Sequence, residues 1–266
     1  MLANLHTHTT FCDGHHTPRE IAEEALFRGF STLGFSGHGY TYFDDSYCIK
    51  DEDGYLADVL RVKEEYRGRL EIYRGVEEDS YSPVKREKFD YIIGSSHYIR
   101  DGEKFYPVDA GLERFMTCLD LFGGDPVRLA ERYYSEFCAY IEKRRPDIIG
   151  HFDLITKYDE KLDSMFRKNP EYVACSVKYA KIAAKYGSIF EVNTGAISRG
   201  LRTSVYPTTE ILHALRGEGA RITLSSDSHD KSTLDFAFDE AKAVLREVGF
   251  KEFYTLCNGK FTKFEF

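Results

Sequence analysis

The sequence predicts an α/β barrel built from seven strand–helix units. Three observations predict it. Short apolar runs alternate with helical patterns along the whole chain, which implies a parallel sheet. Seven such units in 266 residues suit a barrel better than a doubly wound sheet. No Gly-rich dinucleotide fingerprint follows the first strand.

The strands are read from the apolar runs Leu2–Leu5, Thr32–Phe35, Glu71–Val76, Tyr91–Ile93, Ile148–Ile149, Ile189–Val192 and Ile222–Leu224. The first helix has the clearest start. Thr17 is a capping residue, Pro18 takes the first helical position, and Glu20 stands three after the cap. That helix runs through Ile21 to Phe27 and stops near Gly29. Further helices are expected over about 54–67, 125–144, 170–186, 207–217 and 232–248, most of them opened near Pro or closed by Gly. No fixed-period repeat, low-complexity tract or linker interrupts the pattern, so residues 1–266 read as a single domain.

Composition narrows the function. With 42% hydrophobic and 30% charged residues the chain is an ordinary soluble globular protein, and no run approaches the ~18 apolar residues of a membrane span. The N-terminus has no basic-then-apolar signal pattern, so the expected location is the cytoplasm. A formal net charge of −8 argues against a nucleic-acid partner. It leaves room for a small phosphorylated substrate, because a local cationic site overrides global charge. The six cysteines lie far apart without a C-x-x-C and form no disulfide framework. Cys118, Cys138 and Cys175 fall in helical patterns as small core residues. Cys12 lies nearest the chemistry below and reads as a buried neutral thiol.

The chemistry is written at the strand ends. His6 and His8 end the first strand, where alternate residues aim two imidazoles at one point. His38 ends the second strand, Glu77 the third and His151 the fifth; His97 follows the fourth. Asp227 and His229 end the seventh, and Asp13 lies in the first loop. In a barrel these ends share one face, where active sites form. Metal-type residues at six of seven strand ends point to a metal centre. His15 and His16 belong to a polar loop beside it and His213 to a helix surface. Nine candidate ligands exceed the three or four of a single ion and suit three divalent ions with one bridging carboxylate. Three such ions, less the charges of Asp13, Glu77, Asp227 and a bridging hydroxide, leave a surplus that matches a phosphate monoester dianion. Mixed imidazole and carboxylate donors admit Zn, Mn, Fe or Co.

These residues resemble a known family. The segments His6-Thr7-His8-Thr9, Phe11-Cys12-Asp13-Gly14, Gly75-Val76-Glu77, Ile93-Gly94-Ser95-Ser96-His97, Gly150-His151-Phe152-Asp153, Glu191-Val192-Asn193-Thr194 and Ser226-Asp227-Ser228-His229 are similar to those of the PHP (polymerase and histidinol phosphatase) family, in the same order. The likeness is closest to its monofunctional histidinol-phosphate phosphatases. The resemblance implies a distorted seven-unit barrel with a trinuclear metal centre. It implies one ion held by His6, His8, Glu77 and Asp227. Glu77 would bridge to a second ion, completed by His97 and His151, and Asp13, His38 and His229 would hold the third. Relatives often carry an apolar residue where this chain has Glu78; Glu77 is assigned because it directly follows Gly75-Val76.

The implied reaction is hydrolysis of a small phosphate monoester, foremost L-histidinol phosphate to L-histidinol and phosphate, a step of histidine biosynthesis. A hydroxide bridging two ions would attack phosphorus in line. Asp227 or His229 would relay the proton to the leaving alkoxide. Lys157, after the fifth-strand histidine, and Arg199 or Arg202, after the sixth strand, would hold the phosphate, with Arg199 preferred. The acidic, aromatic loop Tyr40–Asp45 would cover the site and receive the amine and imidazole of the substrate. One alternative is a phosphoesterase of the same family acting on a nucleotide, a phosphotyrosine protein or an oligonucleotide end. Another is a non-catalytic metal-binding module, which retention of all nine candidate ligands argues against.

Overall fold

A computed structural model describes residues 1–266. Seven strands form one sheet in chain order: β1 (Ala3–Asn4), β2 (Thr32–Phe35), β3 (Glu71–Asp79), β4 (Tyr91–Ser95), β5 (Ile148–Ile149), β6 (Ile189–Asn193) and β7 (Ile222–Ser225). Every neighbouring pair is parallel. Beyond the last paired residues, β7 returns to β1 through a parallel bridge between Thr7 and Ser228. There the His8 N–H donates to the Ser228 carbonyl at 2.8 Å and the Ser228 N–H to the His6 carbonyl at 3.1 Å. The sheet is thus a nearly closed barrel, as the strand–helix alternation predicts. Two-residue strands at β1 and β5 make it irregular.

Inside, Tyr73, Tyr91, Ile93, Ile148 and Ile189 pack with Leu5 and with Leu256 of the C-terminal hairpin. The Tyr91 ring takes the space that a Cβ on Gly34 or Gly75 would fill, and its hydroxyl donates to the Leu5 carbonyl. Glycine at both positions follows from that close approach.

Outside, the helices shield the sheet. The Thr17–Glu20 capping box is formed, and helix 18–27 buries Ile21, Ala22 and Ala25. With helix 52–65 it covers one side of the barrel. Helices 126–144, 170–184, 209–217 and 238–248 build the larger core on the other side. His213 is exposed on its helix, as expected. The last helix starts at Phe238, later than the sequence pattern indicates. A single 3-10 turn at Lys231–Thr233, capped by Asp230, and a left-handed Ala237 (φ 58°) separate it from β7.

Besides short helical turns, three larger elements are additional to the sequence expectation. An antiparallel hairpin pairs Tyr98–Asp101 with Lys104–Pro107. Helix Leu112–Asp120 follows it. A second hairpin pairs Glu252–Cys257 with Lys260–Glu265 around Asn258-Gly259, both at positive φ, the usual composition of a two-residue hairpin turn. No helix is long and apolar enough to cross a membrane.

Candidate metal centre

The C-terminal strand ends converge on Glu77, which is completely buried. Its Oε2 lies 3.2 Å from His6 Nε2, 3.6 Å from His8 Nε2 and 3.0 Å from His38 Nδ1. Its Oε1 lies 3.2 Å from His97 Nε2 and 2.9 Å from His151 Nε2. Asp227 Oδ1 stands 3.0 Å from His8 Nε2 and 3.6 Å from His6 Nε2. Asp13 Oδ2 stands 3.3 Å from His229 Nε2 and 3.6 Å from His38 Nε2. All nine candidate ligands therefore belong to one cluster. Their donor atoms fall into overlapping groups, each able to close on one ion: His8 with Asp13, His38 and His229; His6 with Glu77 and His151; His6 with His8 and Asp227; and His38 with Glu77 and His97.

The backbone is arranged for this convergence. Strand alternation sends Glu77 inward and Glu78 outward. Glu78 meets Arg144 and the Tyr140 hydroxyl of helix 126–144, and it accepts from the Val84 N–H at 2.7 Å. Asp227 takes a left-handed conformation (φ 49°), a strained backbone of the kind found at functional sites.

Several buried polar atoms here lack a hydrogen-bond partner: His6 Nε2, His8 Nε2, Glu77 Oε2 and His151 Nδ1. Burial disfavours a charge here, and for the carboxylates the neighbouring positive groups outweigh it. Glu77 is held well below the usual carboxylate range by His6, His38 and His97, and Asp227 by Arg199 and His6, each against the opposing effect of burial. His8 is lowered to about 3 by burial, assisted by His229 and His38. Carboxylate oxygens and imidazole lone pairs facing one another at these distances are the donor set of divalent transition metals. The residues fit such ions.

Two further carboxylates stand behind the ligands. Glu191 Oε1 is 2.6 Å from His6 Nδ1, and Asp79 Oδ2 is 3.3 Å from His97 Nδ1. Neither role is read from the sequence. Asp79 is reached because β3 continues beyond Val76, and Glu191 sits inside a strand rather than at its end. A charged residue within the apolar run Ile189-Phe190-Glu191-Val192 is the signal that could have marked it.

A cavity of about 240 Å³ opens over the cluster, lined also by Asp109, Leu154, Lys157 and Arg199. Arg199 donates to Asp227 Oδ2 at 2.9 Å, and Lys157 to Asp109 Oδ2 at 3.2 Å. Arg202 is not part of this lining. It is 3% exposed, donates to Thr156 Oγ1 at 2.5 Å and to Ser204 Oγ at 3.1 Å, and stacks on Tyr206. The two arginines left open by the sequence are thus separated by position: Arg199 faces the cavity and Arg202 the core. Arg199 is therefore the arginine placed to meet a phosphate in this cavity, with Arg202 behind Thr156 and Tyr206.

An adjoining recess of about 260 Å³ is bordered by Asp44, Ser46, Tyr47, Tyr98, Asp109 and Arg114. The loop expected to cover the site contributes only part of itself. Phe43 stacks on Phe105 of the first hairpin and Asp44 accepts from the Tyr98 hydroxyl, whereas Tyr40 and Tyr42 point to solvent. His15 is exposed and His16 half-buried beside Asp230, outside the cluster. Cys12 Sγ is 3.7 Å from His8 Nδ1; burial and neighbouring Asp13 push its thiol up to about 12, which keeps it neutral.

Comparison with known proteins agrees with this architecture. A PHP domain matches residues 4–195. The chain is 28% identical to a Schizosaccharomyces pombe protein over 86% of this chain and 80% of that one, and 30% identical to a Deinococcus radiodurans protein over 93% and 94%. Both relatives bear the name "Probable histidinol-phosphatase". The fold is similar to that of histidinol phosphate phosphatase from Lactococcus lactis, solved with Zn, L-histidinol and phosphate. The TM-score is 0.75 at 21% identity, over 98% of each chain.

Proposed function

From the premise that the chain belongs to the PHP domain family, we propose that it hydrolyses L-histidinol phosphate to L-histidinol and inorganic phosphate in the cytoplasm, a step in making histidine. The observation that carries this reading is the nine-residue cluster under a cavity whose remaining wall includes Arg199 and Lys157. The histidinol-phosphatase names of relatives aligned over nearly the full chain supply the substrate.

His6, His8, Glu77 and Asp227 would hold one ion, Glu77, His97 and His151 a second, and Asp13, His38 and His229 a third. Divalent transition-metal ions held there supply Lewis-acid charge and make water reactive at neutral pH. The chain's own groups do the rest. Arg199 offers a rigid fork of N–H donors to the phosphoryl oxygens, and its hydrogen bond to Asp227 aims that fork into the cavity. Lys157, oriented by Asp109, adds a point charge to the same cavity. Asp227 and His229 line the same cavity and are the candidates for returning a proton to the leaving alkoxide. The recess beside them has aromatic walls, Tyr47 and Tyr98, and its carboxylates Asp13, Asp44 and Asp109 outnumber its cations Arg114 and Lys157. Those groups suit an imidazole ring and an ammonium group.

Phosphate release from L-histidinol phosphate, AMP and phosphotyrosine by the metal-reconstituted protein tests the proposal. L-Histidinol phosphate is expected to give the highest kcat/KM by orders of magnitude. Faster release from AMP or phosphotyrosine would overturn the substrate assignment.

Arg199→Ala is expected to lower kcat/KM by about 100-fold, the typical loss for one charged stabiliser of a phosphoryl group. Arg202→Ala is expected to act on thermal stability more than on KM, because its guanidinium is engaged with Thr156, Ser204 and Tyr206. Unchanged kinetics in Arg199→Ala would remove that residue from the phosphate site.

A further inference from the structure

β6 is the one barrel strand whose C-terminal end carries no candidate ligand, yet its middle carries Glu191, completely buried. Both oxygens of this carboxylate are engaged. Oε1 meets His6 Nδ1 at 2.6 Å. Oε2 accepts the backbone N–H of His151 at 2.8 Å and the side-chain amide of Asn193 at 3.0 Å. The orientation of that amide is fixed in turn, because Asn193 Oδ1 accepts the Gly195 N–H at 2.8 Å.

We infer that Glu191 is a positioning residue that couples two neighbouring metal subsites, setting His6 for one and His151 for the other through its two oxygens. The inference rests on the metal-dependent reading above and extends it to a residue outside the nine candidate ligands.

The chemistry follows from donor counting. A His6 ring that gives its Nδ1 proton to Oε1 keeps the Nε2 lone pair free, and Nε2 is the atom aimed at Glu77 and Asp227. On the other side, the bond from Oε2 fixes the backbone of His151, whose Nε2 lies 2.9 Å from the second oxygen of Glu77. Glu191 therefore stands behind both oxygens of the central carboxylate, one histidine on each. Asp79 serves one histidine only: it accepts the backbone N–H of His97 at 3.2 Å and faces the ring Nδ1 of the same residue.

An amide at position 191 cannot do both tasks. Glutamine has one acceptor oxygen, and the Oε2 position is met by two donors, the His151 N–H and the Asn193 amide. Turning the oxygen toward those two puts the new NH2 against His6 Nδ1. Nδ1 must then accept, and Nε2 must carry the proton that the metal-facing atom has to lack. Turning the oxygen toward His6 instead sets NH2 against two donors and releases His151. Each orientation therefore keeps one side of Glu77 and damages the other; removing both oxygens, as alanine does, damages both at once.

The test uses full-length protein stripped by a chelator and reloaded with Zn2+. Ion content is counted by mass spectrometry, and affinity is measured by equilibrium dialysis. Wild type is expected to bind three ions and to show a strongly downfield Nδ1 proton from His6 in the Zn form. Glu191→Ala, which removes both oxygens, is expected to weaken two ions together by about 10–100-fold, the usual cost of losing a carboxylate behind a metal-bound histidine, and to lose that proton resonance; Glu191→Gln, which keeps one acceptor, is expected to weaken one ion. Asp79→Asn is expected to weaken one ion. Three ions bound by Glu191→Ala with wild-type affinity, or weakening of a single ion in that variant, would overturn the coupling. Should Glu191→Ala not fold, Asn193→Ala removes one donor from Oε2 and is expected to weaken the same two ions; wild-type affinity there overturns the inference equally. A wild-type chain that takes up no Zn2+ removes the metal-dependent reading itself, and the inference with it.

Discussion

Glu77→Gln is expected to abolish phosphate release while leaving a folded protein. The side chain is the hub of the cluster: five imidazole nitrogens, from His6, His8, His38, His97 and His151, lie within 3.6 Å of its two oxygens. Glutamine preserves the shape. It removes the negative charge and turns one oxygen into an NH2 group, which offers hydrogens where the neighbouring nitrogens offer lone pairs. The two ions that Glu77 would help to hold would lose a ligand in common, and the remaining ligands would lose the group that holds them together. The loss in kcat is expected to exceed the 100- to 1000-fold typical of removing one electrostatic stabiliser, about 3–4 kcal/mol. Ion content should fall in parallel. A variant that keeps wild-type ion content and a kcat within tenfold of wild type would place Glu77 outside the centre.

The strand-end rule explains why so much of this site is legible in the sequence. A parallel barrel delivers every strand end to the same face, so the apolar runs locate the strands and the next polar residue locates the site. Nothing in that logic requires long strands, which is why the two-residue β1 and β5 are still read from Leu2–Leu5 and Ile148–Ile149. The same rule passes over Glu191. It lies one layer deeper than the strand end, and its role appears only when β6 is set beside β1 and β5. Arg199 and Arg202 show a different limit. They are three residues apart in one loop, and the sequence carries no sign of which turns inward; the stacking of Arg202 on Tyr206 settles it. The first hairpin and helix 112–120 go unread for a third reason. They fill the connection between β4 and β5, where strand–helix alternation calls for a single helix, so the pattern is met by helix 126–144 alone. The helical spacing of the buried Phe115, Cys118 and Leu119 is the signal that could have marked the extra helix.

Arg144→Ala is expected to do the reverse of Glu77→Gln, costing stability and sparing chemistry. Adjacent strand residues face opposite ways, so Glu78 lies outside the barrel wall that Glu77 lines. It is completely buried there. Arg144 grips both its oxygens, with Nε at 2.7 Å and Nη2 at 2.6 Å, and Nη2 also donates to the Val84 carbonyl at 2.6 Å. Tyr140 and the Val84 N–H complete the carboxylate's partners. Alanine at 144 leaves Glu78 with those two neutral donors and no counter-charge. Breaking a fully buried pair costs about 3–5 kcal/mol; the Arg144 side chain is 23% exposed, which reduces the expected loss to about 2–4 kcal/mol. At about 2–4 °C per kcal/mol for a domain of this size, the melting temperature should fall by roughly 5–15 °C. Arg144→Lys keeps the charge but not the two-pronged grip and should fall between. Thermal unfolding by circular dichroism measures the loss, and kcat per folded molecule at 25 °C is expected to stay within about threefold of wild type, since Glu78 touches no group of the cavity. A lost kcat with an unchanged melting temperature would mean that the two faces of β3 are not independent. The opposite outcomes at residues 77 and 78, one change silencing a folded protein and the other loosening an active one, follow from the pleat of a single strand.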